Sequence, residues 1–158
     1  MRKLAAIMFT DIVGYTALMG EDEAKALQLL QKNRGLLKPI IEQFHGEWLK
    51  EIGDGTLSSF NSAVEAVNCA LAIQHVLKDD PDLKLRIGIH VGDVVFEEGD
   101  VFGDGVNIAS RIEPLAVPPS STTWIMITWR APHPNYPSAW NTPGGPRSPY
   151  TLALAWGV

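Results

Sequence analysis

Two aspartates, Asp11 and Asp54, have the clearest chemical potential in this sequence, because each lies at the end of a predicted β-strand. Asp11 follows the β-rich apolar run from Lys3 to Thr10, and Asp54 lies in the Gly53-Asp54-Gly55 turn between two shorter runs. Adjacent strands would bring both carboxylates to one edge of a sheet. Hard cations such as Mg²⁺ prefer oxygen ligands, so the pair predicts a metal site. Two turn-forming aspartates are the alternative, since aspartate is common in turns.

Asn107 and Arg111 form a second pair, four residues apart in a predicted short helix that Asp104 can cap. Residues at this spacing lie on one face of a helix and can act together. Taken alone, the pair is better explained by a solvated polar face, because charged helix faces are usually exposed. A role for these residues therefore needs support from the rest of the sequence.

The elements that must position these residues follow from hydrophobic periodicity and turn signals. In chain order they are a strand at 3–10, a helix at about 21–44, strands at 48–52 and 56–60, a helix from Asn61 or Ser62 to about Leu77, a strand at 84–91 and the short helix after Asp104. Gly35 and Pro39 are expected to weaken or kink the first helix. The Asp54-Gly55 step predicts a hairpin between the second and third strands.

This order, βαββαβ followed by a helix, predicts an α+β fold of the ferredoxin-like type, with an antiparallel-rich sheet covered by helices on one face. The second helix is predicted to pack through the apolar residues Ala63, Val64, Val67, Ala70 and Leu71. Cys69, the single cysteine, is expected to be a small buried residue. The ferredoxin-like fold serves many unrelated functions, so the fold alone does not identify the chemistry.

Length and charge limit the function further. A chain of 158 residues is long enough for one domain with a substantial core. Its formal charge of −5 argues against a nucleic-acid partner. The apolar run after Arg2-Lys3 is too short for a signal peptide, and no segment has the roughly 18 to 20 apolar residues of a membrane-spanning helix. We therefore expect a cytoplasmic protein without direct membrane insertion.

A change in composition near Pro118 divides the chain into a core, residues 1–117, and a tail, residues 118–158. The tail has no Asp, Glu or Lys, yet it holds eight of the eleven prolines and four of the five tryptophans. Residues 124–129 are compatible with one strand, and the proline-rich remainder predicts an irregular, poorly ordered segment. Translation from a shifted reading frame and a divergent natural tail both fit this composition.

Three blocks of the core together resemble the catalytic domain of class III nucleotidyl cyclases. They are Phe9 to Thr16, Lys50 to Gly55, and Arg86 to Gly92 continued by Asp100 to Arg111. The resemblance spans residues 3 to about 117, and six functional positions carry the residue type expected in the family. Three blocks in the right order make the resemblance specific.

The resemblance implies that Asp11 and Asp54 bind two divalent cations, Mg²⁺ or Mn²⁺, and that the backbone carbonyl of Ile12 completes one site. It also implies that the Gly14-Tyr15-Thr16 turn contacts the phosphates of the substrate. Backbone N–H groups at the start of a helix can bind phosphate, although a glycine in such a turn more often serves only to relieve the backbone.

For the remaining positions, the resemblance implies that Lys50 and Asp100 select adenine rather than guanine. Asn107 would orient the ribose, and Arg111 would stabilise the pentavalent phosphorus. Arg86 and His90 are expected to be structural, and neither is given a role.

The implied function is adenylate cyclase activity, which converts ATP to 3′,5′-cyclic AMP and pyrophosphate by a two-metal mechanism in a head-to-tail homodimer. One subunit would supply the aspartates, and the other would supply the base-selecting pair together with Asn107 and Arg111. After residue 117 the sequence departs from the family, because the expected final hairpin with a phosphate-binding lysine is not recognisable. A catalytically silent nucleotide-binding dimer and an inactive truncated cyclase domain therefore stay open as alternatives.

Overall fold

The computed structural model describes residues 2–98, 100–102, 123–129 and 151–156. The elements in chain order are β1 (Arg2–Ile12), α1 (Tyr15–Glu21), α2 (Glu23–Gln43), β2 (Glu47–Ile52), β3 (Gly55–Phe60), α3 (Ala63–Leu77), β4 (Leu85–Glu97), β5 (Asp100–Phe102), β6 (Thr123–Trp129) and β7 (Thr151–Trp156).

All seven strands belong to one sheet with the order β2-β3-β1-β4-β6-β7, and β5 pairs with β4. The first four strands pair antiparallel with their neighbours, whereas β4 and β6 run parallel. Together with the element order, the arrangement β2-β3-β1-β4 is that of the ferredoxin-like fold. The predicted α+β class and the antiparallel-rich sheet are confirmed.

The inner strand β1 is buried on both of its faces, which explains why its sequence is a continuous apolar run. Ala6, Met8 and Ile12 pack in the larger core cluster with residues of α2 and α3, on what we call the helix face. Side chains alternate along a strand, so Ala5, Ile7 and Phe9 point to the opposite, second face. There they pack with residues of β3, β4 and β5, and the described part of this cluster contains no helix residue.

The predicted first helix is confirmed as α2, which Asp22 caps by accepting a hydrogen bond from the Lys25 N–H at 3.1 Å, and the shorter helix α1 precedes it. The kink expected at Pro39 does not end the helix, which continues to Gln43. Leu37 and Ile41 are fully buried on either side of the proline, so packing against the sheet holds this turn in place. None of the helices in the described part of the chain could cross a bilayer.

Helix α3 begins and ends as predicted, and the Ser62 hydroxyl caps it by accepting a hydrogen bond from the Val64 N–H at 3.2 Å. Its predicted apolar face is wrong in part, because Val64 is 67% exposed and Ala70 alone of the predicted set is fully buried. The helix instead contacts the sheet mainly through Ala66, Cys69, Ala70, Ile73 and Leu77. Cys69 is buried as expected, and burial raises the pKa of its thiol to about 12.

The tail contains more regular structure than its composition predicts. The strand expected at 124–129 is present as β6, which pairs parallel with β4. A further strand, β7, pairs antiparallel with β6 and corrects the expectation that the remainder of the tail would lack regular pairing. Its residues 151–156 include no proline, so no position in β7 lacks a backbone N–H.

Asp80 organises the loop between α3 and β4. Its Oδ1 accepts hydrogen bonds from the N–H groups of Asp82 at 2.9 Å and Leu83 at 2.8 Å, and its Oδ2 pairs with the Lys32 ammonium of α2. Burial alone would raise the pKa of the carboxyl group, but the Lys32 ammonium and the two N–H donors outweigh burial and lower the pKa to about 2. The folded state therefore favours the ionised form of Asp80.

We predict that Asp80→Asn lowers the free energy of unfolding by an amount on the order of 2 kcal/mol at pH 7. Because the pKa of Asp80 falls from 3.8 to about 2 on folding, this stabilisation is present above about pH 4 and is lost as the pH falls towards 2. Urea denaturation of both proteins from pH 7 to pH 2.5 measures the difference. Asp82→Asn is the matched control, because Asp82 is 47% exposed and pairs with Lys25 only at 3.5 Å. A difference that stays constant with pH would contradict this assignment.

Candidate active site

Asp54 lies at the tip of the β2–β3 hairpin and folds back onto the end of β1. Ile52 pairs with Gly55, so the two turn residues are Gly53 and Asp54, one position earlier than the Asp54-Gly55 step predicted. Gly53 has a φ of 61°, as expected for a glycine at the first central position of a hairpin turn. The Ile12 N–H donates to Asp54 Oδ2 at 2.9 Å. This hydrogen bond holds the Asp54 carboxylate at the backbone of Ile12, the residue that follows Asp11.

Asp11 lies on the second face of the sheet, directly opposite Arg86 in the β1–β4 register. Arg86 donates from Nε to Oδ1 at 2.9 Å and from Nη2 to Oδ2 at 2.7 Å, so both carboxylate oxygens of Asp11 accept from the guanidinium. The Asp11 side chain is 16% exposed and the Arg86 side chain 29% exposed. Arg86 had no predicted role, because the sequence offers only one signal for this pair, the opposite charges of Asp11 and Arg86 at two predicted strands.

Asp11 and Asp54 are suitable ligands for a cation that keeps water or substrate oxygens in its coordination shell. No set of three or more histidine, cysteine, aspartate or glutamate residues forms a closed metal site in the described part of the chain. Mg²⁺ is typically held by one or two carboxylates plus waters and substrate phosphates, and two adjacent aspartates match that requirement. In an antiparallel strand the N–H and C=O of a residue leave the same edge, so the Ile12 carbonyl also lies on the Asp54 side. The residues present therefore fit a divalent cation.

Lys50 and Asp100 form the second charged group on this face. Lys50 Nζ donates to Asp100 Oδ1 at 2.7 Å, and the Val101 N–H donates to the same oxygen at 2.8 Å. The hydrogen bond from Lys50, assisted by the one from Val101, lowers the pKa of Asp100. Both side chains are partly exposed, at 39% for Lys50 and 46% for Asp100. A ligand can therefore reach this pair from solvent.

A β-bulge in β2 directs Lys50 to the second face. Trp48 pairs with Ser58 and Lys50 pairs with Leu57, so Leu49 is an extra residue between two consecutive partners on β3. Leu57 belongs to the second-face cluster, and Lys50 shares its face as the cross-strand neighbour. Without the bulge, regular alternation after Trp48 would turn Lys50 to the helix face.

Asp100 reaches Lys50 because the β4–β5 hairpin bends across the second face. In the sheet order β2 lies three strands from β4, and β5 pairs with β4 through Glu97 and Asp100. The 2.7 Å contact between Lys50 and Asp100 therefore requires the β4–β5 hairpin to extend over β1 and β3 to reach β2. Val101 is only 4% exposed and packs in the same cluster as Leu57, which anchors the hairpin there.

Glu51 holds β2 from the helix face. Arg34 of α2 donates from Nε to Oε1 at 2.6 Å and from Nη2 to Oε2 at 2.7 Å. The Arg34 hydrogen bond is the main reason why the pKa of Glu51 is lowered. This ion pair, which sequence reasoning missed, anchors the strand segment that carries Lys50.

The Gly14-Tyr15-Thr16 segment forms the expected turn into a helix. Gly14 has a φ of 75° and is the N-cap of α1, and its carbonyl accepts from the Leu18 N–H at 3.0 Å. Gly14 and Thr16 are exposed, whereas Tyr15 packs against the helix-face core. Contact with phosphate stays a prediction. Asn107 and Arg111 lie outside the described residues.

The histidine on β4, His90, is 3% exposed on the second face, in keeping with the packing role expected for it. Asp11, Asp54, Lys50 and Asp100, by contrast, are all at least partly exposed. The described site therefore has two charged centres on one face of the sheet, an aspartate pair beside Arg86 and a lysine–aspartate pair.

Comparison with known proteins identifies the family. The model of the adenylate and guanylate cyclase catalytic domain matches residues 2–122. "Putative adenylate cyclase 3" of Rhizobium meliloti (strain 1021) is 44% identical over 125 residues, which cover 74% of this chain and 21% of that protein. An adenylate cyclase of Streptomyces coelicolor is 33% identical over 113 residues, which cover 70% of this chain and 30% of that protein. The chain thus spans less than a third of the length of these two relatives.

Solved structures of related cyclases share the fold. The adenylate/guanylate cyclase/hydrolase from Silicibacter pomeroyi is 38% identical, with a TM-score of 0.72 over 81% of this chain and 77% of that chain. The adenylyl cyclase CyaB from P. aeruginosa is 27% identical, with a TM-score of 0.67 over 81% of this chain and 78% of that chain. With the family match covering most of the chain, this protein belongs to the adenylate and guanylate cyclase catalytic-domain family, the class III nucleotidyl cyclases.

Proposed function

We propose that this domain is an adenylate cyclase that converts ATP to 3′,5′-cyclic AMP and pyrophosphate at a homodimer interface. The observation that carries the proposal is the Lys50–Asp100 pair, held at 2.7 Å on the face of the sheet that also carries Asp11. A lysine–aspartate pair suits adenine, and an aspartate pair suits the metal-bound triphosphate. Both requirements of an ATP site are present in one chain.

The base preference follows from donors and acceptors. Adenine offers the N1 acceptor and the exocyclic amino donor, so Lys50 can donate to the first and Asp100 can accept from the second. Guanine reverses this pattern and would leave both side chains without a suitable partner. In the structure the two side chains satisfy each other, and adenine would replace that contact with two hydrogen bonds of its own.

Asp11, Asp54 and the Ile12 carbonyl would hold the divalent cations. Cations bound there would supply the positive charge that acidifies the ribose 3′-hydroxyl and neutralises the leaving pyrophosphate. The 3′-oxygen forms a bond to the α-phosphorus, the bond from that phosphorus to the bridging oxygen breaks, and the hydroxyl proton leaves to solvent. The hydrogen bond from the Ile12 N–H orients Asp54 for this task.

The other predicted residues complete the proposed site. The first N–H groups of α1, after Gly14, lack partners within the helix and can donate to phosphate oxygens. Asn107 would orient the ribose, and Arg111 would stabilise the charge that develops at phosphorus. The family resemblance supports a head-to-tail dimer, in which the aspartates of one subunit face the base-selecting pair of the other.

Incubation of the purified chain with Mn²⁺ and ATP tests the proposal, because it should yield cyclic AMP and pyrophosphate in equal amounts. We predict higher turnover of ATP than of GTP. Asp11→Asn should lower turnover by roughly a hundredfold or more, whereas the exposed control Asp82→Asn should not change it. Nucleotide binding without turnover would indicate a silent binding domain instead.

The Lys50→Glu, Asp100→Cys double variant should lose the preference for ATP, because a polar pocket discriminates by leaving the groups of the wrong base unpaired. The ratio of kcat/KM for ATP to that for GTP measures the effect. Asp82→Asn changes an exposed residue outside both charged groups and should leave this ratio unchanged. Equal turnover of ATP and GTP by the unaltered protein would contradict the assigned role of Lys50 and Asp100.

Asp11→Ala and Arg111→Ala proteins should each be inactive but should regain activity when mixed. In a mixed dimer one site collects both defects, and the other receives intact Asp11 and intact Arg111. With random exchange about half of the dimers are mixed and each has one working site, so activity should approach roughly a quarter of the unaltered level. No recovery despite demonstrated subunit exchange would show that the two residues do not act in a site shared between subunits.

A further inference from the structure

Arg86 occupies the carboxylate that the proposed function assigns to metal binding. It donates to both oxygens of Asp11, at 2.9 Å and 2.7 Å, from the strand position directly opposite. A bidentate guanidinium–carboxylate pair is among the stronger ion pairs in proteins, and it is directional as well as charged. A divalent cation that binds Asp11 therefore meets a group that already neutralises this carboxylate.

We propose that Arg86 competes with the divalent cation for Asp11, so that metal entry requires the guanidinium to give up at least one of the two carboxylate oxygens. This inference rests on the proposed metal site. A cation bound to Asp11 would lie within a few ångströms of a second positive charge, and like charges at that range repel each other. The repulsion weakens metal binding until another negative group enters. The triphosphate of the substrate is such a group, so Arg86 couples metal binding to nucleotide binding.

The strand segment that carries Arg86 is held by contacts other than its ion pair with Asp11. Its neighbours Leu85 and Ile87 are buried at 1% and 0% exposure and fix β4 against the helices. The backbone next to it is held as well, since the Val13 N–H donates to the Lys84 carbonyl at 2.9 Å. The Arg86 side chain is nevertheless 29% exposed. Loss of the contact with Asp11 would therefore leave the strand in place.

The chain contains a matched control for this ion pair. Arg34 and Glu51 form the same bidentate geometry, at 2.6 Å and 2.7 Å, between α2 and β2. Glu51 lies on the helix face, away from Asp11. Removing either guanidinium breaks a comparable ion pair, but only Arg86 contacts a proposed metal ligand.

Mn²⁺ binding without nucleotide tests the competition, with free Mn²⁺ measured by electron paramagnetic resonance. Arg86→Gln should bind Mn²⁺ about tenfold more tightly than the unaltered protein, since one opposite charge at this distance commonly has an effect of that size or more. Arg34→Gln should stay within about twofold of the unaltered protein, and Asp11→Asn should lose the site. Equal or weaker Mn²⁺ binding by folded Arg86→Gln would overturn the inference.

Should Arg86→Gln fail to fold, the unaltered protein still gives an answer by NMR. The Nε–H resonance of Arg86 can be assigned because it disappears in Arg86→Lys. Titration with Mg²⁺ should shift this resonance and should leave the Nε–H resonance of Arg34 unmoved. Mg²⁺ saturation without a shift at Arg86 would overturn the inference.

The ATP assay separates the two proposals. If the unaltered protein makes no cyclic AMP but Arg86→Gln still binds Mn²⁺ more tightly, only the cyclase assignment is wrong. If the unaltered protein makes cyclic AMP but Arg86→Gln binds Mn²⁺ with unchanged affinity, only the proposed competition is wrong.

Discussion

The pairing of β1 with β3 on one edge and β4 on the other is the constraint on which the site depends. The β1–β4 ladder extends from Arg2 to Ile12, and β3 pairs with residues 6–10 on the other edge. With both edges bonded, the end of β1 has one position and one orientation. Asp11 therefore meets Arg86 across one ladder, and the Ile12 N–H meets the Asp54 carboxylate where the other ladder ends.

Because side chains alternate along the strands, most core residues lie on one face of the sheet and the charged site residues lie on the other. The helix face takes the larger hydrophobic cluster together with the Arg34–Glu51 pair that anchors β2. The second face carries the smaller hydrophobic cluster, and the charged residues of the site lie around it. The bulge at Leu49 and the bent β4–β5 hairpin are local departures from regular geometry. Both place a charged residue on this face, as bulges near functional sites often do.

Much of the fold could be predicted from the sequence because its signals are local. The Ser62 cap, the limits of α3 and the hairpin between β2 and β3 depend on residues within a few positions of one another. Asp11 and Asp54 could be chosen from their positions at the ends of predicted strands, whereas the choice of Lys50 and Asp100 came from the family resemblance. The structure adds that the two charged groups lie on one face.

The remaining features depend on contacts between distant residues. Arg86 was given no role because the opposite charge of Asp11 matters only once the register of β1 and β4 is known. The face chosen for α3 was partly wrong, because several apolar stripes are possible and packing against the sheet selects one. The second tail strand was missed because β7 is formed by backbone pairing with β6, which composition does not reveal.

Anomalous X-ray diffraction from crystals grown with Mn²⁺ and a non-cyclisable ATP analogue would locate the metal and the base together. We expect manganese peaks roughly 2.1 Å from carboxylate oxygens of Asp11 and Asp54. It also predicts the adenine ring between Lys50 and Asp100, with their 2.7 Å contact broken. Manganese bound elsewhere, or adenine bound away from an intact Lys50–Asp100 pair, would contradict the assignment of this face as an adenylate cyclase site.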